Sequence, residues 1–528
     1  MTTRRALIVS IAVGCVAAGT VGRASASEGY KTPARLEQLA RLDAQVRFVR
    51  RRQRGKRVFV VRWRGNPWII VGRDATLADA RRAAHALVLR GPHGVWALRA
   101  PLFVANGATL TIAAPAVREL RLLSRARSYA TIVAQNANVR FVGSARRRLL
   151  VRSWNRARSR PDLNLDNGRG SVSVRGNGRL SASYAVFSYL GFTFGRVSGV
   201  AVNGTGPQLK GSGRVDHSIF SHNVFGAYTW QAIDMHWTSN RFVHNMVYGF
   251  DPHDGSNWFV VEHNYAAANG RHGIIFSRLC KHDVIADNVS ARNGWHGIVI
   301  DAGRAGRVAP SRDIHVYRNV VRNNGKVGIS IDGSNDNVVR DNRVSGGLIG
   351  IRVFGRPHGQ ATGNVITGNR IIGAREIGVL VAKPASDTRL AGDTINGSVD
   401  GIAVRGARST FVAYSKVAAA RLHAVSITDA SATRISGNRF SGAGPSPIKT
   451  LRDTRSVERA NLVHWDYPLL HDAARLMSWF IGPGVWALLF FVVLTSGVVA
   501  RGVETATKRR ARHSPAAAPP PTASRPAA

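Results

Sequence analysis

The sequence has 528 residues and carries 74 Lys and Arg against 30 Asp and Glu, a formal net charge of +44. A charge of this size predicts attraction to an anionic partner, which nucleic acid, acidic lipid or acidic polysaccharide would satisfy, and it does not define a fold. Cys15 and Cys280 are the two cysteines, and Cys15 lies in a segment with the features of a cleavable leader. A secreted form would therefore have no intrachain disulfide and would need a large core instead.

Residues 1–26 have the organisation of a secretory signal peptide. A pair of arginines precedes an apolar run from Ala6 to Gly22, and Ala24-Ser25-Ala26 supplies a cleavage sequence of small residues. An N-terminal membrane anchor is the alternative, and the weakly apolar, Gly/Ala-rich run disfavours it. Residues 27–92 are expected to form an N-terminal cap region, in which Thr76–Leu87 has an amphipathic helical pattern suited to covering the end of a solenoid.

Residues 226–425 repeat with a period of about 24 residues. Each repeat has a glycine or alanine followed by alternating β-branched residues, as in His272-Gly273-Ile274-Ile275-Phe276, and an asparagine column runs in phase with it. The asparagines are Asn240, Asn264, Asn288, Asn319, Asn342, Asn369 and Asn438. Short strands at this period, without a helical pattern between them, predict an all-β parallel β-helix over residues 93–446. A propeller would need about 40 residues per blade, and the leucine-rich-repeat signature is absent.

The C-terminal part has the pattern of a membrane anchor. After an expected juxtamembrane linker at 447–475, the 25 residues Leu476–Ala500 contain no charge. As a helix they would extend about 37 Å, enough to cross a hydrocarbon layer of about 30 Å. The basic residues of 501–528 predict a cytoplasmic, disordered tail and a body outside the membrane. That location of a single-pass protein favours an anionic polysaccharide over nucleic acid as the partner.

The stretch Tyr248–Phe259 concentrates titratable side chains, because it contains Asp251-Pro252-His253-Asp254. Residues one coil apart in a β-helix lie about 4.8 Å apart, so the glycines can be used as register marks. These marks place Asp254 beneath Arg278, His253 beneath Ser277, Tyr228 beneath Asp251, Trp230 beneath His253, Asp301 beside Arg278, and Tyr248, His272 and His296 in one column. Surface corner caps are the alternative explanation. So many titratable groups together favour proton-transfer chemistry with mutually shifted pKa values.

The segment YGFDPHDGS at Tyr248–Ser256, followed by RHGIIFSR at Arg271–Arg278, resembles the periplasmic mannuronan C5-epimerase family. Members carry a DPHDxS motif on a right-handed β-helix and a basic-HGII-x-SR segment one coil later. The match is specific from about Gly199 to Asp301 and generic over the rest of the repeat. A calcium site at three of the aspartates is conceivable, but the neighbouring arginine argues against it. The sequence therefore predicts an enzyme that uses neither a metal nor a cofactor.

The resemblance also implies roles for individual residues. C5 epimerisation removes a proton next to a carboxylate, so an arginine must neutralise the growing charge, while a base and an acid act on opposite faces. The resemblance assigns catalytic roles to His253, Asp251, Asp254, Arg278, His272, Tyr248 and His244, and substrate binding to Arg271, Trp230, Tyr228, His296 and Asp301. It also implies a histidine five residues before the first aspartate, where this chain has Met246. The base is therefore open among His253, His244 and His272.

Three functions are compatible with these patterns. The first is a C5-epimerase of a uronate-containing exopolysaccharide. The second is a polysaccharide lyase, which makes the same proton abstraction and then eliminates the C4 oxygen. The third is a non-catalytic scaffold that holds an anionic polymer during secretion. Met246 favours the scaffold, whereas the intact DPHD and SR segments favour an enzyme.

Overall fold

The computed structural model describes residues 56–63, 65–125, 128–166, 168–193, 197–303, 309–356, 359–467 and 488–495. Within these residues the chain winds through three long sheets. In the repeat, each coil contributes one strand to each sheet in turn, and the next coil pairs onto it in parallel. This arrangement confirms the predicted all-β parallel β-helix.

The first sheet carries the DPHD motif. Its strands are Val58–Trp63, Asn66–Val71, Leu102–Val104, Ile132–Gln135, Val172–Arg175, Gly199–Asn203, Phe225–Trp230, Phe250–His253, Ile274–Ser277, Ile298–Asp301, Val327–Asp332, Ile349–Phe354, Ile377–Ala382, Asp400–Arg405, His423–Thr428 and Ile448–Leu451. Apart from the first two, which form an antiparallel hairpin, neighbouring strands in this sheet are parallel. A side chain on one strand therefore lies directly over its counterpart on the coil before.

The second and third sheets close the solenoid. The second sheet consists of Ala75–Thr76, Thr109–Ala113, Asn138–Val142, Arg179–Ser183, Ser212–Asp216, Met235–Thr238, Val260–Glu262, Lys281–Ala286, Arg312–Tyr317, Val338–Arg340, Val365–Thr367, Arg389–Ala391, Phe411–Ala413, Arg434–Ser436 and Val457–Arg459. The third consists of Val88–Arg90, Val95–Leu98, Glu119–Arg125, Ser128–Tyr129, Leu149–Asn155, Arg160–Pro161, Ala185–Ser188, Ile219–Ser221, Arg241–Val243, Tyr265–Ala267, Val289–Ala291, Val320–Arg322, Arg343–Ser345, Arg370–Ile372, Thr394–Asn396, Lys416–Ala420, Arg439–Ala443 and Leu462–Asp466. Ala361–Thr362 and Ala385–Ser386 form a separate two-stranded ladder.

The core lies inside the three sheets and consists of stacked columns of apolar side chains. Successive strand residues point to opposite faces, so the inward positions of each coil fall above those of the coil before. Phe187, Phe220 and Phe242 of the third sheet form one such column, with ring centroids 5.0 and 5.1 Å apart, and Phe250 of the first sheet packs against Phe242 at 5.2 Å. Burying each aromatic side chain contributes about 1.5–3 kcal/mol, so this column stabilises the coils beneath the DPHD motif.

The asparagines predicted to run in phase form a buried ladder. Asn264 accepts a hydrogen bond from the backbone N–H of Asn240 at 2.9 Å and donates to the Trp237 carbonyl at 2.7 Å. The pattern repeats up the column as far as Asn369, where Asp393 takes the next position. Each amide thus satisfies buried backbone groups at a corner, where the strand ladder is interrupted. A second ladder through Asn223, Asn245, Asn269, Asn293 and Asn324 was not predicted.

The solenoid extends beyond the expected bounds of 93–446. Parallel pairing begins with Asn66–Val71 on Leu102–Val104 and continues to Leu462–Asp466. The coils before residue 226 lack the regular Gly-Ile repeat, so their period is blurred in the sequence. The predicted helix over Thr76–Leu87 is present but shorter, at Leu77–Ala83. Thr76 and Asp79 form a capping box at its start, and the chain leaves the helix at Ala84 to enter the third sheet.

No helix in the described ranges is long and apolar enough to cross a bilayer. Of the predicted span Leu476–Ala500, the structure describes only 488–495, which are helical and exposed. The predicted signal peptide and the tail after residue 500 lie outside the described residues.

A short 3-10 turn at Pro92–Gly94 joins the strands at the start of the third sheet.

Candidate active site

The DPHD motif lies on the outward face of the first sheet. Phe250 belongs to the core, so alternation along the strand Phe250–His253 turns Asp251 and His253 outward. The observed pairing is Tyr228 with Asp251, Trp230 with His253, and His253 with Ser277. The register expected from the repeat glycines is therefore confirmed across these three coils.

A buried carboxylate at the end of this strand gathers three partners from three coils. Asp254 Oδ2 lies 2.9 Å from His253 Nδ1 and accepts a hydrogen bond from Trp230 Nε1 at 2.9 Å, while Oδ1 lies 3.2 Å from Arg278 Nε. The His253 and Arg278 contacts are at ion-pair distance but are not aligned as hydrogen bonds. Asp254 and Arg278 both adopt left-handed backbone conformations, with φ of 48° and 64°, and these corners turn the two side chains towards each other.

A second carboxyl group in the motif is held in an environment that favours its neutral form. Asp251 is 1% exposed, and its Oδ1 accepts no hydrogen bond from the described residues. The pKa of Asp251 is raised to about 7, mainly by burial; His253 lowers it, and the nearby carboxylates of Asp254 and Asp301 contribute to the rise. Near neutral pH this carboxyl group therefore exists in both protonation states.

The predicted column of Tyr248, His272 and His296 is present as a continuous ring stack. The ring centroids are 4.9 and 4.8 Å apart. Burial raises the pKa of Tyr248 to about 12, and Asp251 adds to this effect while Arg271 opposes it. Burial lowers the pKa of His296 to about 4 and, together with the neighbouring His296 and Arg271, holds the pKa of His272 well below its usual value. At neutral pH the column therefore presents a protonated phenol and two neutral imidazoles.

The structure separates the three histidines proposed as base. His244 follows the third-sheet strand Arg241–Val243, and its ring stacks on His222 at 5.5 Å, away from the motif. His244, one of the three candidates for the base, therefore does not join the motif, because it lies at the start of the bend 244–249 between the third and first sheets. Met246 lies in the same bend. His272 is a weak base because burial depresses its pKa, so His253, with a carboxylate beside Nδ1, is the remaining candidate.

A group of charged residues on the next coils was not predicted from the sequence. Arg356 Nη2 binds Asp301 Oδ1 at 2.7 Å and Asp332 Oδ2 at 3.3 Å, and Arg352 Nη2 contacts both Asp332 oxygens at 2.9 Å. Asp301 is thus paired with an arginine two coils further on. Asp332 lies as far after Gly328 as Asp301 lies after Gly297. Arg352 lies as far after Gly350 as Val299 lies after Gly297. Counting from the repeat glycines beyond the loop insertion would therefore have identified Asp332 and Arg352 from the sequence.

The aromatic residues near the site are at the expected positions but make contacts that were not predicted. Trp230, predicted to bind substrate, donates its indole N–H to Asp254 and so helps to position that carboxylate. Tyr228 is buried, with its ring centroid 5.9 Å from that of His253. Trp295, not singled out before, is 37% exposed and lies beneath the Arg271 guanidinium at 4.9 Å. In the part of the chain that is described, no group of three or more His, Cys, Asp or Glu side chains is placed to hold a metal ion.

The fold and the site together define a parallel β-helix protein with an acid–base cluster on the outward face of one sheet. Residues 307–461 match the family described as "Right handed beta helix region". The mannuronan C5-epimerase of Pseudomonas aeruginosa is 28% identical over 195 residues, which are 35% of this chain and 34% of that protein. The mannuronan C5-epimerase of Pseudomonas syringae pv. tomato is 24% identical over 341 residues, 60% of this chain and 61% of that protein.

A solved structure agrees with these relatives in fold. The periplasmic alginate epimerase AlgG superimposes with a TM-score of 0.54 at 18% identity, over 76% of this chain and 85% of that one. The chain spans about a third of the length of the first of the two relatives and less than two thirds of the second. The resemblance predicted from the DPHD motif is thereby confirmed: the chain is similar to mannuronan C5-epimerases in sequence and has a right-handed β-helix fold similar to that of AlgG.

Proposed function

We propose that the protein is a C5-epimerase acting on a uronate-containing polysaccharide. The observation that carries this proposal is the contact of one buried carboxylate, Asp254, with both His253 and Arg278 on an outward sheet face. A base and a cation that can neutralise a carboxylate are thus supported by the same residue. Abstraction of a proton next to a carboxylate requires both groups.

In the proposed reaction His253 removes the proton from C5 of the bound uronate. The carboxylate of Asp254 beside Nδ1 favours a proton on that nitrogen, which leaves the Nε2 lone pair to accept the C5 proton and stabilises the imidazolium that forms. The electron pair of the broken C–H bond moves into the sugar carboxylate, whose added charge Arg278 and Arg271 neutralise. These two arginines therefore act mainly on the intermediate.

Tyr248 completes the reaction by donating its phenolic proton to C5 from the opposite face. Because burial keeps the pKa of Tyr248 near 12, the phenol is protonated at neutral pH and can act as an acid. Solvent then returns a proton to the phenolate and removes one from His253, so the enzyme recovers its initial state. Asp251 is a positioning residue whose neutral form avoids a further negative charge beside the substrate carboxylate.

A lyase is the main alternative because it begins with the same abstraction and differs only in eliminating the C4 oxygen. The scaffold alternative rests on Met246, whereas the contacts of the buried Asp254 with His253 and Arg278 favour an enzyme. An enzyme is therefore better supported than a binding protein.

The polymer and the location are part of the proposal. The net charge of +44 supports an acidic polysaccharide partner, and the leader-like N-terminus supports an extracytoplasmic body. The charge-free span Leu476–Ala500, followed by basic residues, supports a single membrane crossing with a cytoplasmic C-terminus. Protease added outside intact cells should then digest the body, and full protection of the body would contradict this orientation.

The reaction is tested by incubating the protein with polymannuronate in deuterated water and recording proton NMR spectra. Epimerisation predicts loss of the C5 proton signal with appearance of the inverted sugar, whereas a lyase would give unsaturated chain ends. Arg278→Ala should lower the rate about 10²-fold or more while the fold is retained. The matched control is Arg343→Ala, which removes an exposed arginine from the third sheet. Equal rates for the wild type and Arg278→Ala would contradict the assigned site.

A further inference from the structure

A second cavity lies on the same sheet, several coils beyond the DPHD motif. Its volume is about 660 Å³, and it opens on the outward face of the last first-sheet strands. The polar residues that line it include Lys383, Asp400, Arg405, His423, Ser426 and Lys449. These residues are distinct from those of the candidate active site.

The two sites belong to one continuous face. The column that contains His253 continues, one residue per coil, through Ser277, Asp301, Asp332, Phe354, Ala382 and Arg405. Six inter-strand steps of about 4.8 Å place the level of Arg405 about 29 Å from that of His253. An extended polymer lying along this column would therefore reach both sites.

An apolar cluster lies beside the cavity on the same sheet. Ile377, Leu380 and Ala403 form this buried cluster, against which Ile349 and Ala382 pack. Ala382 also lines the cavity, so the cluster forms an apolar wall next to its polar floor. None of the residues assigned to the DPHD site lines the cavity, which is therefore a second site on this face.

The floor of the cavity has groups suited to binding sugar hydroxyls. Asp400 is buried, accepts a hydrogen bond from the Ser426 hydroxyl at 3.0 Å, and has a second oxygen that accepts none from the described residues. His423 lies on the strand paired with Asp400, and its Nδ1 is 2.8 Å from the Ser446 carbonyl, which leaves Nε2 for another partner. A buried carboxylate oxygen without a partner is costly unless a ligand supplies a donor.

The rim of the cavity carries positive charge. Lys383, Arg405 and Lys449 are exposed, whereas the rim carboxylate of Asp429 is already paired with Arg452 outside the cavity. Three cations thus face one buried carboxylate, whose contact with Arg405 is a weak one at 3.8 Å. The rim matches an anionic group, and the floor matches hydroxyl donors, which together describe an acidic sugar.

We infer that this cavity is a second binding site for an acidic sugar of the same polysaccharide chain that occupies the DPHD site. The inference depends on the proposed function for the identity of the polymer. A chain long enough to bridge about 29 Å would engage both sites at once, so the second contact would be made at a high effective concentration. The distal site would then hold the polymer while successive sugars enter the active site.

The test compares two lengths of polymannuronate, one too short to bridge the sites and one long enough. Their affinities for the full-length wild type and for the double variant Arg405→Ala/Lys449→Ala are measured by calorimetry at fixed ionic strength. The wild type should bind the long fragment at least about tenfold more tightly than the short one, and the variant should lose this gain. The variant should retain the C5 exchange rate of the wild type on the short fragment.

The matched control is Arg343→Ala/Arg370→Ala, which removes two exposed arginines from the third sheet. The second site would be overturned if Arg405→Ala/Lys449→Ala still bound the long fragment more tightly than the short one to the same extent as the wild type. It would also be overturned if the control variant lost this gain in affinity equally. If the wild type shows no C5 exchange but the length-dependent gain is lost only in Arg405→Ala/Lys449→Ala, the epimerase proposal fails and the second site stands. If neither fragment binds the wild type, both proposals are wrong.

Discussion

Replacing Asp251 by asparagine should make the protein more stable at alkaline pH. The carboxyl group is 1% exposed, and burial raises its pKa from 3.8 in the unfolded chain to about 7 in the folded protein. The folded state therefore keeps a proton on Asp251 that the unfolded state releases. Asparagine has nearly the same shape and carries no charge at any pH, so it does not incur the cost of burying a carboxylate.

The direction and size of the change in the free energy of unfolding follow from proton linkage. Below about pH 4 both states bind the proton, so Asp251 costs nothing; between pH 4 and 7 the unfolded chain binds fewer protons, and stability falls as pH rises. The limiting difference above pH 7 is about 4 kcal/mol, from roughly three pH units at about 1.4 kcal/mol each. Between pH 5 and pH 8 the difference between Asp251→Asn and the wild type should grow by about 3 kcal/mol.

Urea unfolding followed by tryptophan fluorescence at pH 5 and pH 8 measures this difference. Asp336→Asn, which removes an exposed carboxylate from the solenoid surface, controls for the lost negative charge on a basic protein. A difference between Asp251→Asn and the wild type that stays constant from pH 5 to pH 8 would refute the reasoning. The carboxyl group would then titrate alike in the folded and unfolded states.

Three further substitutions test other parts of the structure. Asp393→Asn should stabilise the protein at pH 8 by about 4 kcal/mol in urea unfolding, because burial raises the pKa of Asp393 to about 7 and an amide would continue the asparagine ladder; an unchanged midpoint would contradict this. Arg356→Met should lower the thermal midpoint, at a cost of about 1–2 kcal/mol, because it leaves Asp301 and Asp332 without their shared partner; the exposed Arg343→Met is the control, and equal shifts would count against it. Tyr248→Phe should lower inversion about 10²-fold relative to C5 exchange, because the donor on one face is lost while His253 still returns a proton on the other; NMR in deuterated water measures both, and an unchanged ratio would exclude Tyr248 as the acid.

The register of the site was predictable because the repeat fixes it. Glycine at a constant offset marks where each first-sheet strand begins, since a Cβ at Gly273 would lie 2.2 Å from the Ser290 hydroxyl and 2.8 Å from the Gly297 carbonyl. With that mark, the stacking of Trp230 on His253 and of Asp254 on Arg278 follows from counting residues. The asparagine column was predictable for the same reason.

Other features depend on corners and loops, which the repeat does not specify. The position of His244 could not be obtained by counting, because it lies in a bend, where side-chain direction does not alternate as it does along a strand. The pairing of Arg356 with Asp301 spans two coils and crosses the insertion between Gly297 and Gly328, so no constant period connects the two residues. The indole hydrogen bond from Trp230 to Asp254 depends on a ring orientation that spacing alone cannot give.

The central claim is that His253 removes the C5 proton of a uronate. The most direct measurement is the C5 deuterium exchange rate of His253→Gln on polymannuronate in deuterated water, with circular dichroism to verify the fold. The account predicts a loss of about 10²–10⁴-fold with an unchanged β-helix spectrum, because glutamine cannot accept the proton. Exchange within about threefold of the wild-type rate would contradict the assignment of His253 as the base.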